Sequence, residues 1–304
     1  MKSFKPMKGD DAVIEKLKPP YMITPKYDGH RCLIIEGVAM TSALKPFPNT
    51  FIQAYFASGL FDGLDGELIV GSPTAPDVFR TTSGGVRRAA GEPDFTLYVF
   101  DHHAAGGSAQ QRWAKLAQMH NDGQFNDTRV VLAPMHRAAT VEDVLDLERN
   151  YLLMGYEGIM LRSPDSEYKY GRSTVNENGL LKMKSFVDFE AKIIGFKEQM
   201  ENTNEKTTNN LGRGQRSSAK AGKVAKGTLG SFRLVAVNGP WKGKEFDCGT
   251  GLGLTPEVRD RVWSDRGGWE GLLLTIKGQH VGGYDLPRIP VIKSMEPRDP
   301  AEVE

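Results

Sequence analysis

The sequence predicts an α+β protein of two domains, in which a mixed helix and strand domain is followed by a small β-barrel. Residues 1–187 combine apolar strand-like runs with an amphipathic helix, whereas residues 188–304 contain short strand-like runs separated by glycine-rich turns. A length of 304 residues and a hydrophobic fraction of 39% suit two modest domains, each with its own core. We place the boundary near Phe186–Phe189, where the character of the sequence changes.

The first domain carries three short apolar runs and one periodic segment. Cys32–Ile35, Leu68–Val70 and Phe95–Phe100 are typical of buried strands. Val141–Leu153 has apolar residues at helical spacing with acidic residues between them, which predicts an amphipathic helix. Thr140 is expected to cap its N-terminus.

The second domain is predicted to consist of short strands. Turn residues such as Asn238-Gly239-Pro240 separate these strands, as in small closed sheets. The four expected strands are Ala191–Phe196, Gly230–Val237, Leu272–Ile276 and Ile289–Ile292.

A polar, basic segment at about 199–228 interrupts this domain. It has too few apolar residues to hold itself in place by burial, so it is either a solvated flexible insert or a functional loop. Basic segments attract phosphate backbones, which favours the functional interpretation. Its cations are Lys206, Arg213, Arg216, Lys220, Lys223 and Lys226.

Composition and charge narrow the functional classes. The formal net charge is +1, so any nucleic-acid surface must come from local basic patches. The two cysteines, Cys32 and Cys248, have no partners at metal-ligand spacing, which argues against structural zinc. Neither a signal-peptide pattern nor an apolar run of membrane-spanning length is present. We therefore expect a cytoplasmic monomer without a membrane partner.

The first motif with chemical potential is Lys26-Tyr27-Asp28-Gly29-His30-Arg31, preceded by Thr24-Pro25. A lysine amine attacks phosphorus only when deprotonated, and the pKa of free lysine is about 10.4, so a nucleophilic lysine needs cationic neighbours or a metal. Arg31 can hold a phosphate or hydroxyl with its planar fork of donors. Taken alone, Lys-x-Asp-Gly is equally typical of a surface turn.

Acidic and aromatic residues recur at the edges of later strands. Asp65 and Glu67 lie at the start of an apolar run, where two carboxylates can bind Mg²⁺. Phe100 ends another run and can cover a purine, although such an aromatic is more often part of a core. Glu157 precedes a third run, which Arg162 follows.

The last motif is Leu180-Leu181-Lys182-Met183-Lys184. Because side chains alternate along a strand, Lys182 and Lys184 are expected on one face, where a phosphate can relieve their mutual repulsion. A solvated edge strand is the plain alternative. Each of the five motifs has such an alternative, but their order and spacing together favour nucleotide chemistry.

These motifs resemble the covalent nucleotidyltransferase superfamily, which contains ATP-dependent DNA ligases, RNA ligases and mRNA-capping enzymes. The resemblance covers nearly the whole chain and is greatest to minimal viral DNA ligases of the Chlorella virus type, especially over residues 157–228. It implies a nucleotidyltransferase (ATP-grasp-like) domain with antiparallel sheets and flanking helices, residues 1–187, followed by an OB-fold domain, residues 188–304. The basic segment at about 199–228 would correspond to a latch that closes around DNA.

The resemblance also implies roles for individual residues. Lys26 would carry AMP, with Asp28, Arg31, Glu67, Glu157, Lys182 and Lys184 as further catalytic residues. The implied nucleotide contacts are Thr24, Pro25, Lys26, Arg31, Glu67, Phe100, Arg172, Lys182, Lys184 and Arg288, and the implied metal ligands, for Mg²⁺ or Mn²⁺, are Asp65, Glu67 and Glu157. ATP would be the nucleotide and nicked duplex DNA the partner, contacted by Lys45, Arg87, Arg162 and the six cations of the basic segment.

The sequence departs from the family pattern in two places. Minimal viral ligases usually have a Ser-Arg pair after the first strand, where this chain has Thr41-Ser42. That contact to the nick phosphate is therefore either lost or supplied elsewhere, with Lys45 and Arg87 as the candidates. The C-terminal motif often ends in an arginine, and Glu296 lies near that position. An RNA ligase, a GTP-dependent capping enzyme and a catalytically silent nick-binding module remain the alternatives.

Overall fold

The computed structural model describes residues 4–125, 129–184, 186–208, 214–279 and 285–302. Contacts between residues divide the chain into two compact units, with the change falling after Lys184. Phe186 and Val187, which we had expected in the first domain, pair with Gln279 and Gly278 in a strand of the second unit. The boundary therefore lies about three residues earlier than the sequence predicts.

The first unit contains two five-stranded sheets and four α-helices within the described residues. In chain order its elements are β1 (Asp10–Asp11), β2 (Tyr21–Pro25), β3 (His30–Ile35), β4 (Val38–Thr41), α1 (Thr50–Phe56), β5 (Leu64–Val70), α2 (Val78–Arg87), β6 (Phe95–His102), α3 (Ala109–Asn121), β7 (Val130–Leu132), β8 (His136–Ala138), α4 (Val141–Leu153), β9 (Gly158–Arg162) and β10 (Leu180–Lys184).

One sheet has the strand order β1-β10-β9-β2-β8 and the other β4-β3-β5-β6-β7. All neighbours are antiparallel except β1 with β10 and β6 with β7. This unit is the mixed α+β architecture with antiparallel sheets that the sequence predicts. The three apolar runs lie within β3, β5 and β6, and each contributes side chains to one core cluster that includes Ile34, Leu68 and Leu97.

Helix α4 has the bounds that the sequence predicts. The hydroxyl of Thr140 accepts a hydrogen bond from the backbone N–H of Asp143, whose carboxylate accepts one from the backbone N–H of Thr140. These reciprocal bonds satisfy N–H groups that a helix start leaves unpaired. Val144 and Tyr151 on its inner face pack against the β2–β9 region of the first sheet.

The described residues of the second unit form a curved five-stranded antiparallel sheet, a two-stranded sheet and two short α-helices. Its elements are β11 (Phe186–Asn202), β12 (Lys206–Thr208), β13 (Gly214–Arg216), β14 (Lys223–Ala236), β15 (Glu245–Cys248), α5 (Pro256–Ser264), α6 (Arg266–Trp269), β16 (Leu273–Gln279) and β17 (Arg288–Ile292). The main sheet has the order β15-β14-β11-β16-β17.

Backbone hydrogen bonds join the two edges of this sheet. Leu252 donates to the carbonyl of Ile292, and the N–H of Ile292 donates to the carbonyl of Thr250, each at 2.9 Å. The segment after β15 therefore meets β17, so the sheet closes on itself around a core that includes Phe232, Leu274 and Ile276. All four expected strands occur, and each is longer than the apolar run from which it was predicted.

The basic segment extends from the long hairpin of β11 and β14. The side-chain amide of Asn204 donates to the carbonyls of Ser217 and Ala219 at 3.0 and 2.9 Å, and Thr203 donates to Gly222. The ends of the segment pair within β11 and β14, and its middle part pairs as β12 and β13. As expected, the side chains of the described part of this segment are almost all exposed, and side-chain hydrogen bonds rather than apolar burial link its two arms. None of the helices in the described ranges is long and apolar enough to cross a membrane.

Candidate active site

The first unit contains a cavity with an empty volume of about 620 Å³, open to solvent on one side. It brings together residues from all five sequence motifs. Its lining consists of Thr24, Pro25, Lys26, Tyr27, Arg31, Glu67, Phe100, Met160, Arg162, Leu180 and Lys182.

The floor of the cavity is a regular array on three neighbouring strands. Directly opposite residues of antiparallel strands point to the same face. Lys182 of β10, Met160 of β9 and Thr24 of β2 therefore form one row across the sheet. Leu180 and Arg162 belong to the next row. The array combines the cations of Lys182 and Arg162 with the apolar side chains of Met160 and Leu180, which suits a ligand with both an anionic and an apolar part.

Lys26 follows β2 at the end of this array. Its backbone N–H donates to the carbonyl of Gly158 at 2.8 Å, which ties the first motif to the start of β9. Its Nζ donates to the carboxylate of Glu157. The other oxygen of Glu157 lies 2.5 Å from Nζ of Lys184. Three distant motifs therefore meet at one buried carboxylate.

Glu157 remains ionised because of these two lysines. Burial alone would raise the pKa of this carboxyl, but the charges and hydrogen bonds of Lys26 and Lys184 outweigh burial and lower the pKa to about 2. An ionised carboxylate orients both ammonium groups and offsets their repulsion. Lys182, in contrast, lies 3.4 Å from the exposed carboxylate of Asp11 and faces the cavity.

Two glycines are required by close backbone approach. A Cβ on Gly158 would lie 2.2 Å from the carbonyl oxygen of Met183, and its φ of +148° is unfavourable for other residues. A Cβ on Gly29 would lie 2.4 Å from the carbonyl oxygen of Leu68. Gly29 is therefore needed to pack the first motif against β5.

Glu67 is a half-buried carboxyl that lines the cavity. Burial raises its pKa to about 7 despite the lowering effects of Lys26 and Arg31, and nearby Asp28 and Asp65 raise it further. Glu67 therefore changes charge near neutral pH. Asp28 is placed close enough to Glu67 to act on it electrostatically.

Asp65 does not face the cavity as a metal ligand would. It is fully buried, and its two oxygens accept hydrogen bonds from Nε and a terminal nitrogen of Arg31. Tyr168 donates a further hydrogen bond to it at 2.6 Å. Asp65 therefore holds Arg31 in place, and the expectation that Asp65 binds a metal ion is wrong. Tyr168 was missed because nothing in its local sequence marks it.

Arg31 and Phe100 form one wall of the cavity. The guanidinium carbon of Arg31 lies 4.7 Å from the centre of the Phe100 ring. The register between β5 and β6 shifts after Asp65, which pairs with Asp101, while Gly66 pairs with Val99. Phe100 is thus the extra residue of a bulge, a feature that turns a side chain away from regular alternation.

Arg162 also lines the cavity, contrary to the expectation that it contacts DNA. It donates to the carboxylate of Asp101, which Arg112 contacts at 2.7 Å, and its side chain is only 12% exposed. Burial would raise the pKa of Asp101, but the two arginines lower it below its ordinary value. The prediction of a DNA contact at Arg162 is wrong because a buried ion pair holds this side chain inside the wall.

Two of the expected nucleotide contacts, Arg172 and Arg288, do not line the cavity. Arg172 is half exposed, donates to the carbonyl of Gly9 at 2.9 Å and does not line the cavity. Its expected role as a sugar or phosphate contact therefore has no support in this arrangement. Arg288 begins β17 in the second unit. Among residues that sequence reasoning missed, Met160, Tyr27 and Leu180 line the cavity, but apolar residues in strands give no local signal of that role.

The expected DNA contacts are distributed over both units. In the first, Lys45 is half buried in the loop after β4, and Arg87 is exposed at the end of α2. Arg213 lies outside the described residues. The other five cations of the basic segment are exposed on or beside the hairpin: Lys206, Arg216, Lys220, Lys223 and Lys226.

The described residues contain no group of three or more His, Cys, Asp or Glu side chains arranged to hold a metal ion. Asp65 and Glu157 are engaged by Arg31 and by lysines, which leaves Glu67 as the carboxyl that faces the cavity among the three expected ligands. Mg²⁺ is commonly bound by one or two carboxylates together with substrate phosphates and water. The site therefore fits a metal that arrives with a nucleotide, with Glu67 as its protein ligand.

Comparison with known proteins agrees with the resemblance seen in the motifs. Residues 4–184 match the family model described as the ATP dependent DNA ligase domain. A solved structure of Chlorella virus DNA ligase-adenylate is 25% identical, has a TM-score of 0.55, and is matched over 96% of this chain and 97% of that one.

A second solved structure, of a Lig E DNA ligase, has the same fold. It is 21% identical, with a TM-score of 0.67, over 96% of this chain and 98% of that one. A search of curated protein sequences gives no match. Because the family model covers more than half of the chain, this protein belongs to the ATP-dependent DNA ligase family.

Proposed function

We propose that this protein seals nicks in duplex DNA with ATP, through an intermediate in which AMP is attached to Lys26. The observation that carries the proposal is the meeting of Lys26, Glu157 and Lys184 beside a cavity lined by Phe100 and Lys182. A nucleophilic amine, neighbouring cations and an aromatic wall are the parts that nucleotidyl transfer requires.

In the first step, Nζ of Lys26 attacks the α-phosphorus of ATP. The amine attacks in its neutral form: a nitrogen–phosphorus bond forms, the bond from phosphorus to the pyrophosphate oxygen breaks, and the proton that nitrogen then releases passes to solvent water. Lys182 and Lys184 stabilise negative charge that develops on the phosphate oxygens. Glu157 orients Nζ through their hydrogen bond. Lysines that are already held in place need little reorganisation as this charge develops.

The second and third steps transfer AMP to DNA and then release it. The 5′-phosphate at the nick attacks the phosphorus of lysyl-AMP and breaks the nitrogen–phosphorus bond. The 3′-hydroxyl then attacks the activated 5′-phosphate, which forms the phosphodiester and expels AMP. Both steps again place negative charge on phosphate oxygens, so the same cations serve all three steps.

Glu67 is the residue that would hold Mg²⁺ or Mn²⁺ together with the nucleotide. The metal, when bound, supplies neutralisation of phosphate charge. Glu67 itself must be ionised to act as a ligand, and its pKa of about 7 makes that ionisation sensitive to pH near neutrality. Arg31 would contact a phosphate or sugar of the same nucleotide.

We further propose that the second unit is an OB-fold that contacts DNA through its basic hairpin. Closure of its five-stranded sheet supports the fold assignment. The exposed cations Lys206, Lys220, Lys223 and Lys226 support the DNA contact because phosphate contacts need accessible positive charge. Arg288 would assist departure of pyrophosphate, as the resemblance implies.

The decisive experiment combines adduct formation with nick sealing. The protein is incubated with ATP or GTP labelled on the α-phosphorus and resolved on a denaturing gel, and the labelled residue is mapped. We expect a covalent AMP adduct on Lys26 and sealing of a nicked DNA duplex. Preference for GTP would identify a capping-type activity, and preference for an RNA-containing nick would identify an RNA ligase. Binding to nicks without any adduct would identify a silent module.

The variant Lys26→Ala separates the steps. It should form no adduct and fail on an ordinary nick, yet still seal a nick whose 5′-phosphate already carries AMP. Lys16→Ala, which removes an exposed lysine from the same unit, is the control and should behave as the unaltered protein. An adduct that persists in Lys26→Ala would overturn the assignment.

A further inference from the structure

A chain of hydrogen bonds runs behind the cavity wall from the N-terminal segment to Arg31. The backbone N–H of Met7 donates to the hydroxyl of Tyr168 at 3.3 Å, and that hydroxyl donates to Asp65 at 2.6 Å. Asp65 holds Arg31 through both carboxylate oxygens. A terminal nitrogen of Arg31 returns to the carbonyl of Met7 at 3.3 Å, which closes the network.

Besides the two hydrogen bonds from Arg31, the Asp65 carboxylate accepts a hydrogen bond from Tyr168. Asp65 is fully buried, so each lone pair without a partner would cost free energy. The same oxygen, Oδ2, accepts bonds from both Arg31 and Tyr168, each at 2.6 Å. Burial and the neighbouring Asp65 raise the pKa of Tyr168 above its ordinary value, so its hydroxyl remains a donor throughout the neutral range.

The ring of Tyr168 is held independently of its hydroxyl. It is stacked with Phe4 at a centroid distance of 6.4 Å, and the guanidinium carbon of Arg112 lies 5.6 Å from its centre. Removing only the hydroxyl therefore leaves the ring contacts in place. This separation makes the role of the hydroxyl testable without a large change in packing.

We propose that Tyr168 is a positioning residue for nucleotide transfer, which fixes the direction of Arg31 toward the cavity through Asp65. The role rests on the proposed function, since Arg31 matters to catalysis only if the cavity holds the nucleotide. Tyr168 lies 137 positions after Arg31 in sequence but is linked to it through one carboxylate. Tyr168 itself does not line the cavity, so it acts through Arg31.

The test compares Tyr168→Phe with Tyr170→Phe. Tyr170 belongs to the same segment and contacts the same Phe4 ring edge-on, but its side chain is exposed and is not part of the network to Asp65. The two substitutions are chemically identical. Thermal unfolding of both variants first establishes that they remain folded.

Two measurements decide the outcome. The Arg31 Nε–H signal, followed by nitrogen-15 NMR in protein without nucleotide and assigned with Arg31→Lys, should shift or broaden in Tyr168→Phe only. The single-turnover rate of adduct formation at subsaturating ATP should fall about tenfold in Tyr168→Phe and stay unchanged in Tyr170→Phe, as expected for loss of one hydrogen bond to a charged group.

An unchanged Arg31 signal in Tyr168→Phe would overturn the proposal, as would a shifted signal with an unchanged rate of adduct formation. The NMR measurement uses no substrate, so it tests the link between Tyr168 and Arg31 separately from ligase activity. Failure of the unaltered protein to form an adduct would instead contradict the proposed function.

Discussion

Glu157 accepts a hydrogen bond from Lys26, the amine expected to carry AMP, and is buried where the two meet. Lys184 binds its other oxygen, so one carboxylate holds two ammonium groups. Without the negative charge of Glu157, the ammonium groups of Lys26 and Lys184 would repel each other. The site therefore depends on Glu157 both for its stability and for the direction of Nζ.

The first prediction concerns Glu157→Gln. The pKa of Glu157, about 2 against an ordinary 4.5, corresponds to about 3 kcal/mol of stability above pH 4.5, which is lost as pH falls from 4.5 toward 2. Unfolding in urea should show the variant about 3 kcal/mol less stable at pH 7, with the difference narrowing below pH 4.5. A difference in unfolding free energy between the two proteins that stays constant from pH 7 to pH 3 would contradict this account.

The second prediction concerns Glu67→Gln. Because the folded pKa of Glu67 is raised to about 7, its ionisation opposes folding, and stability is lost as pH rises from about 4.5 through 7. The variant should match the unaltered protein near pH 4 and be more stable at pH 8, by about 3 kcal/mol. Thermal unfolding at both pH values checks this. Glu92→Gln, the same substitution at an exposed position of the same unit, is the control.

The third prediction concerns the buried Asp101. Asp101→Asn leaves Arg112 and Arg162 without a counter-charge, which should cost about 3–5 kcal/mol in urea unfolding. Asp94→Asn is the matched control, because Asp94 is almost fully exposed and pairs with Arg129 at 3.7 Å. The control should cost less than about 1 kcal/mol. Equal losses in the two variants would show that the buried ion pairs contribute nothing specific.

The fourth prediction concerns base stacking at Phe100. Aromatic stacking on a base contributes roughly 1–3 kcal/mol, so Phe100→Ala should raise the KM for ATP in adduct formation about 10- to 100-fold. Phe100→Tyr keeps the ring and should change the KM less than about threefold. A KM that is unaffected by Phe100→Ala would exclude the ring as the purine platform.

The fifth prediction concerns the basic hairpin. Replacing Lys206, Lys220, Lys223 and Lys226 with glutamine should weaken nick binding and make its salt dependence shallower, by about 0.9 in the log–log slope for each phosphate that the hairpin no longer neutralises. Arg216 is left in place because it donates to the backbone of Asn204. Adduct formation with ATP should be unchanged.

Lys242→Gln with Lys244→Gln is the control for general charge, since both lysines are exposed in the same unit but outside the hairpin. Fluorescence anisotropy with a nicked duplex between 50 and 200 mM salt, an interval of about fourfold over which such interactions are strongly screened, measures both variants. The same slope in both would show that the hairpin has no special role in DNA binding.

The sequence alone determined the local features of this protein. The periodicity of Val141–Leu153 and the capping pair at its start predicted α4 to the residue, because helix signals are local. The apolar runs predicted the strands but not their ends, since strand length depends on partners. The types and order of residues in the Lys26, Glu67 and Lys182 motifs predicted that these side chains act together, and they line one cavity.

Only the tertiary structure decided which of these charged residues face each other. Asp65 and Arg162 looked like a metal ligand and a DNA contact, yet burial pairs them with Arg31 and Asp101. Tyr168 entered the site through a hydrogen bond spanning 103 positions. A sequence gives residue type and local spacing, whereas the partner of a buried charge is chosen by strand pairing and packing over the whole domain, because an unpaired charge there costs too much.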